Sequence, residues 1–342
     1  MGLGKILITG GAGYVGSVLV QKLLEAKKVL RFAPYVTKTH DGKWEKAKSF
    51  RYVSYDKVTV YDNLRYKQTS LINYCYKDDF EFIHGDVRDY DSLLPLVQEA
   101  DVIIPLTAIV GFPACEKDKD LATQVNYEHV KFIMDHKKPE AKVIYPNTNS
   151  GYGVGKDDKE CTEETPLNPI SHYGVTKCQA EDEVLKGGGV SLRLATVFGV
   201  SPRMRLDLLV NDFTYKAVKD GYIVLFEHDF CRNYIHVQDV ALVFIRAMVD
   251  YYRMSGQAYN VGRSDSNLTK LELAEKIKEH IPDFSIQFDD IKEDPDKRDY
   301  VVSNAKLEAL GWQPEYSLDR GIKELIEAFK MLTPTLTKYT NL

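Results

Sequence analysis

The stretch Lys5-Ile6-Leu7-Ile8-Thr9-Gly10-Gly11-Ala12-Gly13-Tyr14-Val15-Gly16 decides how the rest of the chain is read. An apolar run of strand type stops at a glycine cluster, and residues 14–26 then carry apolar side chains at helical spacing. The order is strand, tight turn, helix. The glycines satisfy both Gly-x-Gly-x-x-Gly and Gly-x-x-Gly-x-x-Gly; a side chain there would block the turn, hold the backbone off a pyrophosphate or wedge helix from strand. The free N–H groups at the helix start then face the anion. Because the motif follows a strand and opens a helix, it predicts a dinucleotide site that includes Gly10, Gly13, Tyr14, Val15 and Gly16.

Working outward, a second strand over 58–61 ends at Asp62, whose carboxylate is placed to accept from ribose hydroxyls and to repel a 2′-phosphate. That favours NAD over NADP, with Arg65 and Lys67 nearby to soften the preference. Asp62 lies 46 residues after Gly16, where about 20 would be usual. The excess is residues 27–57, rich in Lys, Arg and aromatic side chains; they read as a surface excursion such as a hairpin, with a cofactor flap or an oligomer contact as the functional alternatives. Asn63, Asp86 and Val87 complete this end of the cofactor site, Asp86 meeting the adenine edge just after a third strand.

Short β-branched runs recur at 80–83, 101–106, 142–145 and 190–194, separated by amphipathic stretches at 89–99, 120–136 and 173–186. Strands alternating with helices predict an α/β fold: a Rossmann-type doubly wound parallel sheet in residues 1–200. After residue 200 helices are expected over 205–220, 237–252, 268–280 and 318–330, so 201–342 forms a smaller C-terminal α/β substrate lobe, with some chain crossing between lobes. His236 is read as fixing a helix start rather than as an acid.

Composition bounds the partners. The 342 residues carry 45 basic and 50 acidic side chains, a formal charge of −5, which argues against a surface that tracks nucleic acid. No run reaches the roughly 20 apolar residues of a membrane span. The start lacks a signal-type apolar region and cleavage site. Five cysteines, at 75, 115, 161, 178 and 231, show neither Cys-x-x-Cys nor zinc-finger spacing, so a cytoplasmic chain without metal or disulfide is expected.

Tyr173-Gly174-Val175-Thr176-Lys177 puts a phenol and an ammonium one helical turn apart on one face. A free phenol titrates near 10, so a base working near neutrality needs roughly 3 units of depression, about 4 kcal/mol. A neighbouring Lys and a positively charged nicotinamide ring favour the phenolate. The weight of the pair comes from its position, 25 residues beyond Thr148 at the end of a strand.

With these residues in view the chain resembles the extended short-chain dehydrogenase/reductase family, specifically its NAD-dependent sugar-nucleotide epimerases and dehydratases. The resemblance runs from Gly10 to about Gly321, apart from 27–57. It implies that Thr148, in Pro146-Asn147-Thr148-Asn149-Ser150-Gly151-Tyr152-Gly153, joins Tyr173 and Lys177 in catalysis and touches substrate. It places Leu106, Thr107, Ala108 and Asn126 along the cofactor, and Arg232 and Arg298 at the substrate's phosphates. A guanidinium suits phosphate because its planar donors pair bidentately. Arg203 and Arg205 either join that phosphate site or face water.

Departures narrow the chemistry that the resemblance implies. Dehydratases carry an acidic residue two places after the hydroxyl, where this chain has Ser150 after Asn149; neither supplies a general acid or base for eliminating water. Asn233 and Thr196 also replace residues common in the family, which bears on the sugar pocket. The expected activity is epimerisation of a nucleoside-diphosphate sugar through hydride transfer at C4 and a 4-keto intermediate. The alternative is a C4 dehydrogenase or reductase that stops there; a 4,6-dehydratase and a catalytically silent dinucleotide sensor rank below both. A homodimer, through helices near 120–136 and 171–187, is implied by the resemblance.

Overall fold

The computed structural model describes residues 2–26, 54–155, 160–289, 298–332 and 339–341, together with the backbone of strands at 29–32, 36–38, 44–46 and 51–53. Seven strands form the main sheet: β1 (Lys5–Thr9), β2 (Lys57–Asp62), β3 (Phe80–His84), β4 (Val102–Pro105), β5 (Lys142–Thr148), β6 (Val190–Leu194) and β7 (Ala258–Val261). Their order is β3-β2-β1-β4-β5-β6-β7 and every neighbouring pair is parallel. The chain winds outward from β1 to β3 and restarts on its other side with β4. That reversal opens a crevice at the carboxyl ends of β1 and β4, the place where open α/β sheets bind ligands.

The alternation of side chains along each strand builds two cores. Ile6, Ile8, Val58, Val60, Ile104 and Ile144 face helix α1 (Tyr14–Glu25) and a later helix over Val237–Val249, meeting Val18, Leu19, Leu23, Val240 and Phe244. Leu7, Tyr61, Ile103, Val143 and Tyr145 face the opposite way, against Leu93, Val97, Ile133, Ala180 and Val184. The expected doubly wound sheet is therefore present. A smaller lobe packs Val210, Phe213, Leu273, Ile277, Ile322, Leu325 and Phe329 from helices Leu209–Lys219, Lys270–His280 and Leu318–Met331. Its short strand Thr196–Phe198 runs parallel to Cys231–His236, which pairs antiparallel with Asn267–Thr269.

Several elements differ from the sequence reading for local reasons. Helix 205–220 starts only at Leu209, because Arg205 and Asp207 pair with each other in the preceding loop. Helix 120–136 is interrupted by a π turn over Gln124–Glu128. The predicted helix over 237–252 stops at Val249, with a separate short turn at Tyr251–Met254, and His236 caps its start by accepting from the Gln238 N–H at 3.2 Å. Beyond residue 200 the helix Val237–Val249 and β7 pack with the first half of the chain, a crossing of the kind the sequence reading allows for. In the 27–57 excursion Val29–Phe32 pairs antiparallel with Arg51–Ser54, and Val36–Lys38 with Trp44–Lys46. The flap and oligomer readings rest on side chains that lie outside the described residues. Among the described residues no helix is long and apolar enough to cross a membrane.

Candidate active site

The glycine turn carries three separate steric demands. Gly10 has φ +71°, and a Cβ there would come within 2.6 Å of the Thr107 backbone nitrogen, where the β1 and β4 loops touch. At Gly16 a Cβ would sit 2.6 Å from Gly11 Cα, so helix and turn meet backbone to backbone. At Gly13 only the Gly10 carbonyl is near, at 3.1 Å, which leaves an open cradle in front of α1. Gly13 is also the N-cap of α1 and no side chain bonds the helix start, so its N–H groups point into the crevice.

Asp62, at the end of β2, braces this turn. Its carboxylate accepts from the Ala12 N–H at 3.0 Å and the Leu64 N–H at 2.8 Å. Burial raises its pKa while those backbone donors pull the other way. Asp86 is held by a fork from Arg88, Nε and Nη2 each at 2.9 Å, and by Asn63 Nδ2 at 3.1 Å. The Arg88 bonds hold its carboxyl well below the usual range. These residues, with Val15, Val87, Leu106, Thr107 and Ala108, line one cleft of about 650 Å³. The Thr107 hydroxyl is buried there without a protein partner. An open cradle at a helix start, a carboxylate at the end of β2 and an unsatisfied hydroxyl, all lining one cleft, together suit a dinucleotide.

Thr148, Tyr173 and Lys177 line the same cleft. Thr148 is the last residue of β5; its Oγ1 lies 2.9 Å from Ser150 Oγ and accepts from the Ser150 N–H at 3.1 Å. Helix α2 (His172–Lys186) begins at Ser171, whose hydroxyl accepts from the Gly174 N–H, and this cap fixes the first turn that carries Tyr173. One turn later Lys177 is 3% exposed, with Nζ 4.0 Å from the centre of the Tyr145 ring. Burial pushes Tyr173 up to about 12 and Lys177 down to about 7. The sequence reading calls on Lys177 and a positively charged nicotinamide ring together to favour the phenolate, and in the protein alone burial outweighs the lysine. Both groups are desolvated more than they are paired, so the protein alone keeps the phenol protonated.

The family model for the NAD dependent epimerase/dehydratase family matches residues 6–262. This chain belongs to that family. The resemblance to extended short-chain dehydrogenases/reductases is thus borne out, and the cofactor is NAD. Among curated relatives, the low-salt glycan biosynthesis protein Agl12 of Haloferax volcanii is 26% identical over 95% of this chain and 98% of its own. UDP-glucuronic acid decarboxylase 1 of Arabidopsis thaliana is 28% identical, over 95% of this chain and 70% of its own. Of solved structures, the UDP-glucuronic acid 4-epimerase from Bacillus cereus superposes with a TM-score of 0.78 at 23% identity, covering 96% of this chain and 100% of that one. The dTDP-glucose 4,6-dehydratase from Bacillus anthracis gives 0.74 at 20%, covering 96% of both. Decarboxylase, dehydratase and epimerase all occur among these relatives of the family, so the reaction must be argued from the site.

The other positions that the resemblance names do not all reach the cleft. Asn126 stands behind the cleft wall rather than in it: Oδ1 accepts from the Ile109 N–H at 2.8 Å, and Nδ2 donates to the Ile109 carbonyl at 3.0 Å. It therefore clamps the loop that follows β4, and the π turn is what aims it there. Arg232 is buried with its guanidinium 5.6 Å from the Tyr300 ring centre, and Arg298 donates to Ser150 Oγ. Arg203 is placed apart from them, over the ring of Tyr66 at 4.8 Å, on the Asp62 side of the cleft. Sequence reasoning missed Glu181, one turn beyond Lys177, which anchors Arg193 beneath the site at 2.6 Å.

His129, in the helix next to the π turn, is fully buried and its pKa falls to about 3, chiefly from burial. The unfolded chain protonates a histidine near 6.5, so protonation of His129 takes no stability above about pH 6.5, and stability is lost as pH falls from there toward 3. His129→Leu is expected to flatten the acid limb of a melting-temperature against pH curve. An unchanged slope would assign acid sensitivity to other groups.

Proposed function

We propose that this enzyme is a sugar-nucleotide epimerase that inverts C4 through a 4-keto intermediate. The observation that carries the reading is Ser150. It lies between Thr148 Oγ1 and Arg298, where water elimination would need an acidic side chain. The site thus has the groups for oxidation and return and lacks a carboxylate at the dehydratase position. The substrate is a nucleoside-diphosphate sugar, with Arg232 and Arg298 offering guanidinium forks to its phosphates.

NAD, when bound, supplies the acceptor and later the donor of a hydride, and its positive ring adds charge beside the phenol. Tyr173, its own proton released to solvent under that added charge, then acts as a phenolate and takes the proton of the C4 hydroxyl as the C4–H bond is broken, and Thr148 Oγ1 donates to the same oxygen. Lys177, fixed against Tyr145, stabilises the phenolate once it forms. On return Tyr173 gives the proton back. The keto sugar turns between the two half-reactions so that its other face meets the hydride.

Incubation with UDP- and dTDP-sugars, following NADH absorbance together with product stereochemistry, tests this. The expected result is a 4-epimer with no net NADH. Net NADH without an epimer would support the dehydrogenase instead, and a product lighter by one water would restore the dehydratase.

A further inference from the structure

An epimerase of this kind must return the hydride from the cofactor molecule that received it, so release of NADH between the two half-reactions would leave a stranded ketone. The structure contains a bridge across the cleft at the end where Asp62 stands. The loop that begins at Gly199 belongs to the smaller lobe yet is pinned to α1: Tyr14 OH donates to the Gly199 carbonyl at 2.7 Å, and Ser201 Oγ donates to the Tyr14 carbonyl at 2.7 Å. Ser17 and Ser201 hydroxyls lie 3.0 Å apart, adding a third tie. Arg203 follows on this fixed loop. Its side chain reaches over the Tyr66 ring of the first lobe, at 4.8 Å.

The far end of the chain completes the bridge. Arg203 Nη2 donates to Asn341 Oδ1 at 2.7 Å and to the Thr340 carbonyl at 3.3 Å, while the Leu206 N–H donates to the Tyr339 carbonyl at 2.8 Å. Arg203 is 5% exposed, and its hydrogen-bond partners among the described residues, the Met204 carbonyl included, are neutral oxygens. A buried guanidinium held by neutral acceptors, facing the cleft beside Asp62, is a cation well suited to an anionic cofactor. Asp62, Asn63, Tyr66, Arg203 and Asn341 all line that one end.

We infer that Arg203, Tyr66 and Asn341 form a clasp over the adenosine half of NAD and set how long the reduced cofactor stays bound. The purpose of the clasp rests on the epimerase reading; its geometry does not. Arg203 is in this role a positioning residue, holding the cofactor rather than touching the reacting atoms.

The test loads the full-length protein with NADH and follows its release by fluorescence against excess NAD, for wild type, Arg203→Ala, Arg203→Lys and Asn341→Ala. Release is expected to quicken about tenfold in Arg203→Ala, since interface changes act mostly on dissociation rates. Asn341→Ala should give a smaller increase with an unchanged melting temperature of the cofactor-free protein, and Arg203→Lys an intermediate one. Wild-type release rates in both alanine variants would overturn the clasp. If Arg203→Ala does not fold, Asn341→Ala and Tyr66→Ala decide in the same way. Net NADH in the sugar-nucleotide assay would remove the epimerase reading while leaving these release rates to judge the clasp by themselves.

Discussion

Tyr173→Phe is expected to lower turnover by about a thousandfold, in the middle of the range for losing a positioned acid–base group. The ring remains to fill its place in the first turn of α2, so NAD binding and the melting temperature should hold. Only the hydroxyl proposed to move the proton is lost. Because burial pushes that phenol up to about 12, the proposed role requires charge brought by the bound cofactor and by Lys177. Lys177→Met should accordingly also cut turnover, and should displace the alkaline-to-neutral limb of the pH profile upward. Single-turnover measurement of enzyme-bound NADH formation separates these effects from substrate binding. A Tyr173→Phe protein that reduces its bound cofactor at the wild-type rate would move the base elsewhere.

What was legible in the sequence is what depends on near neighbours in the chain. The glycine turn is a contiguous run whose three demands, a positive φ at Gly10, an open cradle at Gly13 and a backbone contact at Gly16, are all met within a few residues or by the adjoining β4 loop. Tyr173 and Lys177 are one turn apart, so their shared face follows from helical periodicity alone. Asp62 could be found despite the inserted hairpin because it ends an alternating strand.

The features that were not legible depend on contacts set by topology. β7 lies deep within the second half of the chain and yet pairs with β6, so no local pattern marks it as part of the main sheet. Asn126 clamps Ile109 only because a π turn rotates it, and residue spacing assumes a regular helix. Arg203 meets Tyr66 and Asn341, residues more than a hundred positions away on either side. The protonation of Tyr173 followed the same rule, since proximity to Lys177 was readable and the depth of burial was not. One signal was available and went unused: Arg193 sits inside an apolar strand, and a charge buried there requires a partner.

That partner is Glu181, and the largest loss of stability is expected from Glu181→Ala. The carboxylate is 1% exposed and accepts from Asn147 Nδ2 at 2.7 Å, Ser191 Oγ at 2.6 Å and Arg193 Nη2 at 2.6 Å. Arg193 in turn donates to Tyr152 OH at 3.0 Å, and Tyr152 OH donates to Asn260 Oδ1 at 2.7 Å. One network therefore ties α2 to β5, β6 and β7, directly behind Thr148 and Lys177. Removing the acid leaves a buried guanidinium uncompensated, which costs about 3–5 kcal/mol, a large part of the roughly 5–15 kcal/mol that a folded domain has to lose. Urea unfolding of Glu181→Ala reads this directly, and the double variant Glu181→Leu/Arg193→Met should recover most of the loss by removing both charges together. A cost under about 1 kcal/mol in the single variant would mean that water reaches Arg193. Recovery of stability without recovery of turnover in the double variant would show that the ion pair also sets the register of α2 against β5, and with it how Tyr173 and Thr148 are placed in the cleft.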